Sequence, residues 1–239
     1  LGSEAGLKAL DGALQRSTGA LLGKRGKRRL IVDVDSIKDP AHGSHERVAY
    51  NGHFGTNCFH PLFAFTGEGA CLGAKLRPGN VHPADGTLPF IHPIVERYRP
   101  WFDLFWLRGD AALASPEMYE YCEKKRITYF IRLPENQNLN GLVDPRLARP
   151  AGRPPRWGPQ VKVLDFHCRA KNWTRPCRVV CKLEWPQGEI FPEAGFIVTN
   201  SRLPRDEGGE GLQRPGRCGE PDQGEEEHPS LGQDQLPPF

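Results

Sequence analysis

Leu7, Leu10, Leu14 and Leu21 recur at roughly helical spacing and predict a short amphipathic helix within residues 4–22, followed by a basic knot of Lys24, Arg25, Lys27, Arg28 and Arg29. Leu30 to Val34 is β-branched with polar interruptions at Asp33 and Asp35, the pattern of a buried strand that carries acids near its C-terminal end. Two further apolar runs, Cys58 to Phe65 and Gly69 to Leu76, flank Thr66-Gly67-Glu68-Gly69 and read as a hairpin. Three antiparallel strands are therefore expected at the start.

Ala84 to Tyr98 repeats apolar residues at helical intervals despite Pro89 and Pro93, and predicts a helix. Trp101 to Leu107 reads as a strand ending at Arg108-Gly109-Asp110, Ser115-Pro116-Glu117 opens a helix to about Lys125, and Ile127 to Leu133 is a further strand. Three strands, helix, strand, helix, strand make a mixed α/β layer fold. Pro134 to Pro159, rich in Pro, Arg, Asn and Gly, reads as a loop. Val161 to Arg169, Arg178 to Trp185 and Gly195 to Thr199 then predict a β-rich insertion.

Composition changes the picture at the ends. Of 239 residues only 38% are hydrophobic, with 27 Gly and 23 Pro, so part of the chain is expected not to fold. The last 38 residues hold seven Gly and six Pro with Phe239 as the only aromatic, too little apolar area to offset chain entropy. The net charge of +3 hides a basic arm, with seven Lys/Arg against two acids in residues 1–29, and an acidic tail, with four Arg against nine acids in residues 202–239. Such an arm is compatible with nucleic-acid binding.

Seven scattered cysteines without a C-x-x-C pair suggest reduced cytoplasmic thiols rather than a disulfide framework or zinc knuckle. No apolar run approaches the roughly 20 residues of a membrane span. A chain starting at Leu1 reads as a fragment of a longer frame or a processed product.

Asp33 and Asp35 lie two apart on one strand and face the same side, and Asp110 ends another strand at a Gly turn. Carboxylates arriving from the ends of adjacent strands suit hard Mg²⁺ or Mn²⁺ ions, a pair of which would activate a water or 3′-hydroxyl at a phosphodiester. Equally, Asp33 and Asp110 read as turn and helix caps. His42, His45 and His53 crowd a Gly-rich loop and read as polar loop contacts more readily than as a metal cluster. Trp173 and Trp185 are either core residues or platforms for a splayed base.

The stretches IVDVDS, DPAHG, YNGHFG, LRPGNVH, LRGD and LEWPQGEIFPEAGFIVTN, in that order over residues 20–201, resemble DDE transposases of the insertion sequence 1380 family. The resemblance implies an RNase-H-like core that cuts and rejoins DNA with a metal-bound Asp, Asp, Glu triad and two Mg²⁺ (or Mn²⁺) ions. Its first acid falls on Asp35, with Asp33 a close second, and its second on Asp110. Ile37 stands where a small hydroxyl residue is expected. Implied DNA contacts are Lys24, Arg25, Lys27, Arg28, Arg29, Asn51, His53, Lys75, Arg77, Arg108 and Lys182. The implied partners are double-stranded DNA, both inverted-repeat ends and target, with a homodimer as the usual means of pairing two ends and no membrane.

In that family the third acid lies beyond the β insertion, on a helix after a Y-N-x-R-G segment. Nothing after Asn200 matches it. Read one base later, however, Leu212 to Arg217 can encode Y-N-G-R-G-D and Cys218 to Gly224 can encode V-E-N-R-I-K-E, as expected of a shifted frame. The chain is accordingly expected to hold a basic helix and linker (1–29), the first part of an RNase-H-like catalytic core (30–133), a loop and β-rich insertion (134–201), and a disordered out-of-frame tail (202–239). Its expected function is transposition by lineage, defective for want of the third acid. The alternatives are a non-catalytic DNA-binding remnant and an unrelated RNase-H-like nuclease.

Overall fold

Alternation along Arg29–Ser36 makes strand β1, which buries Leu30, Val32 and Val34 on one face and leaves Asp33 and Asp35 half-buried on the other. The computed structural model describes residues 4–23, 28–41, 43, 45–46, 48–144, 147–148, 158–169, 173–189 and 191–202. The chain divides into two units, Leu1–Tyr129 and Phe130–Phe239.

In the first unit β1 pairs antiparallel with β5 (Leu62–Thr66), which pairs antiparallel with β6 (Cys71–Lys75). On its other edge β1 pairs parallel with β7 (Leu104–Gly109). The order β6-β5-β1-β7, a hairpin on one side of the first strand and a parallel strand on the other, is RNase-H-like. Parallel pairing requires a crossover, and helix α2 (Thr87–Tyr98) lies within it. α2 buries Phe90, Ile91, Ile94, Val95 and Tyr98. Gly73 of β6 admits this packing, because a Cβ there would lie 3.1 Å from Ile94 Cδ1.

Several sequence expectations shift. The helix expected from Ala84 begins at Thr87 after Gly86 (φ 70°), which puts Pro89 in the first turn, where its missing N–H is harmless. The apolar run Cys58 to Phe65 is two strands, not one. Its first part is β4 (Thr56–Phe59), in a small sheet of order β2-β4-β3 with β2 (Asp39–Pro40) and β3 (Ala49–Asn51). The break falls at His60-Pro61, where Pro61 has no N–H for a ladder and its carbonyl accepts from Ile37 N. Helix α1 (Glu4–Gly23) forms as expected, but it buries Thr18 and Leu22 while Leu7, Leu10 and Leu21 are exposed. Thr18 Oγ1 donates to the Cys71 carbonyl at 2.7 Å, which fixes this helix to β6. Helix α3 (Pro116–Lys124) starts as its sequence predicts, with Ser115 Oγ accepting from Met118 N at 3.2 Å.

In the second unit the Phe130–Leu133 part of β8 (Thr128–Leu133), β11 (Glu193–Thr199), β10 (Cys177–Trp185) and β9 (Gln160–Cys168) follow one another antiparallel. β10 buries Val179, Cys181, Leu183 and Trp185 on one face. The segment expected to be a loop contains helix α4 (Gln137–Val143). Asn136 Oδ1 accepts from Leu139 N at 3.0 Å, and Leu139 and Val143, one turn apart, are buried. The mixed α/β class expected from the sequence is the one observed; the tail from residue 203 lies outside the described residues. Among the described residues no helix is long and apolar enough to cross a membrane.

Gly109 ends β7 beneath a 3₁₀ turn, Ala111–Leu113, and a Cβ there would lie 2.6 Å from Leu113 Cδ2. Gly109→Ala should therefore cost about 1–3 kcal/mol through overpacking, measured by urea unfolding.

Candidate active site at the ends of two parallel strands

Parallel register sets Asp33 opposite Arg108 and Val34 opposite Gly109, so one further step along each strand brings Asp35 alongside Asp110. Arg108 takes up Asp33 with a fork: Nε donates to Oδ1 at 2.5 Å and Nη2 to Oδ2 at 2.6 Å. Both side chains are largely buried, 12% and 15% exposed, so the pair is a nearly desolvated charge contact. Asp35 has a different environment. Burial first, then the negative charge of Asp110, push its carboxyl from 3.8 up to about 6, with a smaller push from Asp33. Only the Ser36 N–H, donating to Asp35 Oδ1 at 2.8 Å, opposes this rise.

Asp110 also caps the 3₁₀ turn, with Oδ1 accepting from Ala112 N at 3.0 Å. The cap expected as an alternative is thus present, and the same carboxylate acts on Asp35 by charge. Arg-Gly-Asp here has three separate roles: the Arg neutralises, the Gly lets the turn fold back, and the Asp caps.

Two buried cationic or polar groups stand behind the acids. Arg77, 4% exposed, donates Nε to the His60 carbonyl at 2.9 Å and Nη1 to the carbonyls of Pro83 and Asp85 at 2.9 and 2.7 Å. Its Nη2 is buried without a hydrogen-bond partner. His60, 3% exposed, is held below the ordinary imidazole range first by burial, and Arg77 is lowered likewise, while the Asp110 charge opposes the shift at both. His60 escaped the sequence reading, although His-Pro inside an apolar run was the available signal.

The other nominated DNA contacts are spread over the molecule. Asn51 is committed to local structure, its Nδ2 donating to Gly79 O at 2.6 Å and its Oδ1 accepting from His53 N and Phe54 N. His53 and Lys75 are exposed. Arg28 pairs with Asp103 at 2.9 Å on the surface, and Arg29 lies 4.2 Å over the Trp106 ring. Lys182, in the second unit, pairs with Glu184 at 2.6 Å. Lys24, Arg25, Lys27 and His42 lie outside the described residues, as does every acid of the tail. Trp173 and Trp185 are buried and belong to the core. Among the described residues no group of three His, Cys, Asp or Glu side chains is placed to hold a metal.

The fold defines an RNase-H-like α/β protein whose acids crowd the ends of its two central parallel strands. A family model described as Transposase DDE domain group 1 matches residues 4–210, and the chain belongs to that family. No curated protein matches the chain.

Asp35 gives a signed pH prediction. Because folding raises its pKa from 3.8 to about 6, its contribution to stability is fully present below 3.8 and is lost as pH rises through about 6. Asp35→Asn should therefore stabilise the chain above that pH by on the order of 2 kcal/mol, less than the full shift implies because the site is partly open to water. Urea unfolding on either side of the window checks this; equal gains in acid and alkali would refute the assignment.

Proposed function

We propose that this chain is the catalytic part of a DDE transposase of the insertion sequence 1380 lineage, acting on double-stranded DNA in the cytoplasm, with Asp35 and Asp110 as its first two acids. The observation that carries the reading is the division of labour at the strand ends: Arg108 neutralises Asp33, while Asp35 and Asp110 are left close enough to repel. This favours Asp35 over Asp33 as the first acid. The residues fit a divalent cation, because two hard oxygen donors under mutual repulsion are relieved by a positive charge. Bound by Asp35 and Asp110, Mg²⁺ or Mn²⁺ would supply charge neutralisation at the phosphodiester and a more acidic attacking hydroxyl.

The protein's own groups do the rest. Arg108 holds Asp33 as an ion pair and so limits the negative charge facing DNA. Lys75 and His53, both exposed, are the nominated residues most open to backbone phosphates, and the basic residues of 24–29 are assigned the same role by their charge. Arg77 and Asn51, committed to interior hydrogen bonds, act by shaping the loops rather than by touching DNA. A homodimer would bring two ends together.

We infer that the chain lacks the family's third acid and that catalysis is lost or nearly so, by a thousandfold or more, on the order of 4 kcal/mol. The test is cleavage of an inverted-repeat duplex with Mg²⁺, comparing the 239-residue chain with one restored to the alternative frame from Leu212. Cutting by the restored chain alone, abolished by Asp110→Asn, is the expected result; equal cutting by both sinks the frame account. Mn²⁺ affinity should rise with pH through about 6, as the proton leaves Asp35, and Asp35→Ala should remove that dependence. DNA affinity should fall with salt with a logarithmic slope of about −0.9 per phosphate contact, and a flat dependence would overturn the basic-segment assignment.

A further inference from the structure

Cys168 closes β9, Cys177 opens β10, and the antiparallel register sets the two directly opposite each other. Opposed residues in such a pair have Cα atoms about 5.5 Å apart when hydrogen-bonded and about 4.5 Å when not. Both spacings fall within the about 4.4–6.8 Å range of disulfides. Directly opposed side chains share a face of the sheet. Cys181, the other thiol of β10, is opposite Leu164 and therefore does not compete across the ladder.

The two thiols differ in access. Cys168 is half-buried, whereas Cys177 is buried and donates its S–H to the Arg175 carbonyl at 3.7 Å. Both are free. We propose that Cys168 and Cys177 are a dithiol site that a low-molecular-weight disulfide oxidises to a cross-strand disulfide, clasping the ends of β9 and β10 around residues 169–176.

The Cys168 thiolate attacks one sulfur of the reagent; the reagent's S–S bond breaks, one thiolate leaves, and a mixed disulfide remains on Cys168. Cys177, deprotonated in turn, attacks the Cys168 sulfur and expels the second thiolate. The pair loses two electrons and two protons, and the reagent becomes two thiols. Burial, then the neighbouring Cys177, push the Cys168 thiol up, so exchange should quicken in mildly alkaline buffer.

The test is a peptide map of the folded 239-residue chain after incubation with oxidised glutathione and alkylation of the remaining thiols. Trypsin cuts after Arg169 and Lys171, while Pro176 protects Arg175, so the clasp would join peptide 163–169 to peptide 172–178. The expected result is this linked species, two of the seven thiols lost, reversal by dithiothreitol, and greater resistance to urea. Cys177→Ser should leave Cys168 as the glutathione mixed disulfide. Alkylation of Cys177 in a chain whose Cys168 already carries glutathione would overturn the proposal. So would linkage scattered over the other cysteines, or recovery of both thiols alkylated.

Discussion

Arg108 removes one negative charge from a place where β1 and β7 bring three carboxylates, and the electrostatics of the site depend on that pairing. Its fork on Asp33 forms across the ladder, between residues that the parallel register already sets opposite, so strand geometry supplies the alignment. Deleting one partner of this part-buried pair would leave the other charge uncompensated. Without Arg108 the uncompensated charge would lie two residues from Asp35, on the same face of β1. Asp35 is already raised by burial and by Asp110; a third full charge would favour its protonated form further.

The remainder of the first unit supports this arrangement from behind. Val32 and Val34, fully buried, anchor the opposite face of β1 in the core and hold its acids at the sheet end. Gly109 allows the 3₁₀ turn to close over the end of β7, which places the Asp110 carboxylate on its cap. Arg77 ties the loops after β4 and β6 together through three carbonyls. Such a buried guanidinium fixes backbone by donating, and at the same time adds positive potential near Asp110.

Much of this was legible in the sequence because the signals are local. Alternation in IVDVDS shows the strand and puts both acids on one face, and Ser115-Pro116-Glu117 shows a helix start. What was not legible is pairing. Choosing between Asp33 and Asp35 requires knowing that Arg108 lies in register with Asp33, a contact 75 residues apart in sequence. Arg77 and Asn51 look like phosphate ligands by residue type, yet Arg77 is buried on the His60 carbonyl and half-buried Asn51 donates to Gly79 O. Composition hid α4, since Asn and Gly obscure a buried Leu139 and Val143 pair one turn apart.

The same physics links the number of acids at the strand ends to stability as well as to metal binding. Two carboxylates held together by the fold repel each other, and after burial that repulsion is the next cause of the raised Asp35 carboxyl. A third acid would worsen the repulsion in the free protein and strengthen the hold on cations in the loaded one. Stability and metal binding thus respond to it with opposite sign. A chain without a third acid would be released from part of that strain, so its fold would persist without the chemistry. A stable sheet would for this reason be no measure of activity, and the two must be assayed separately.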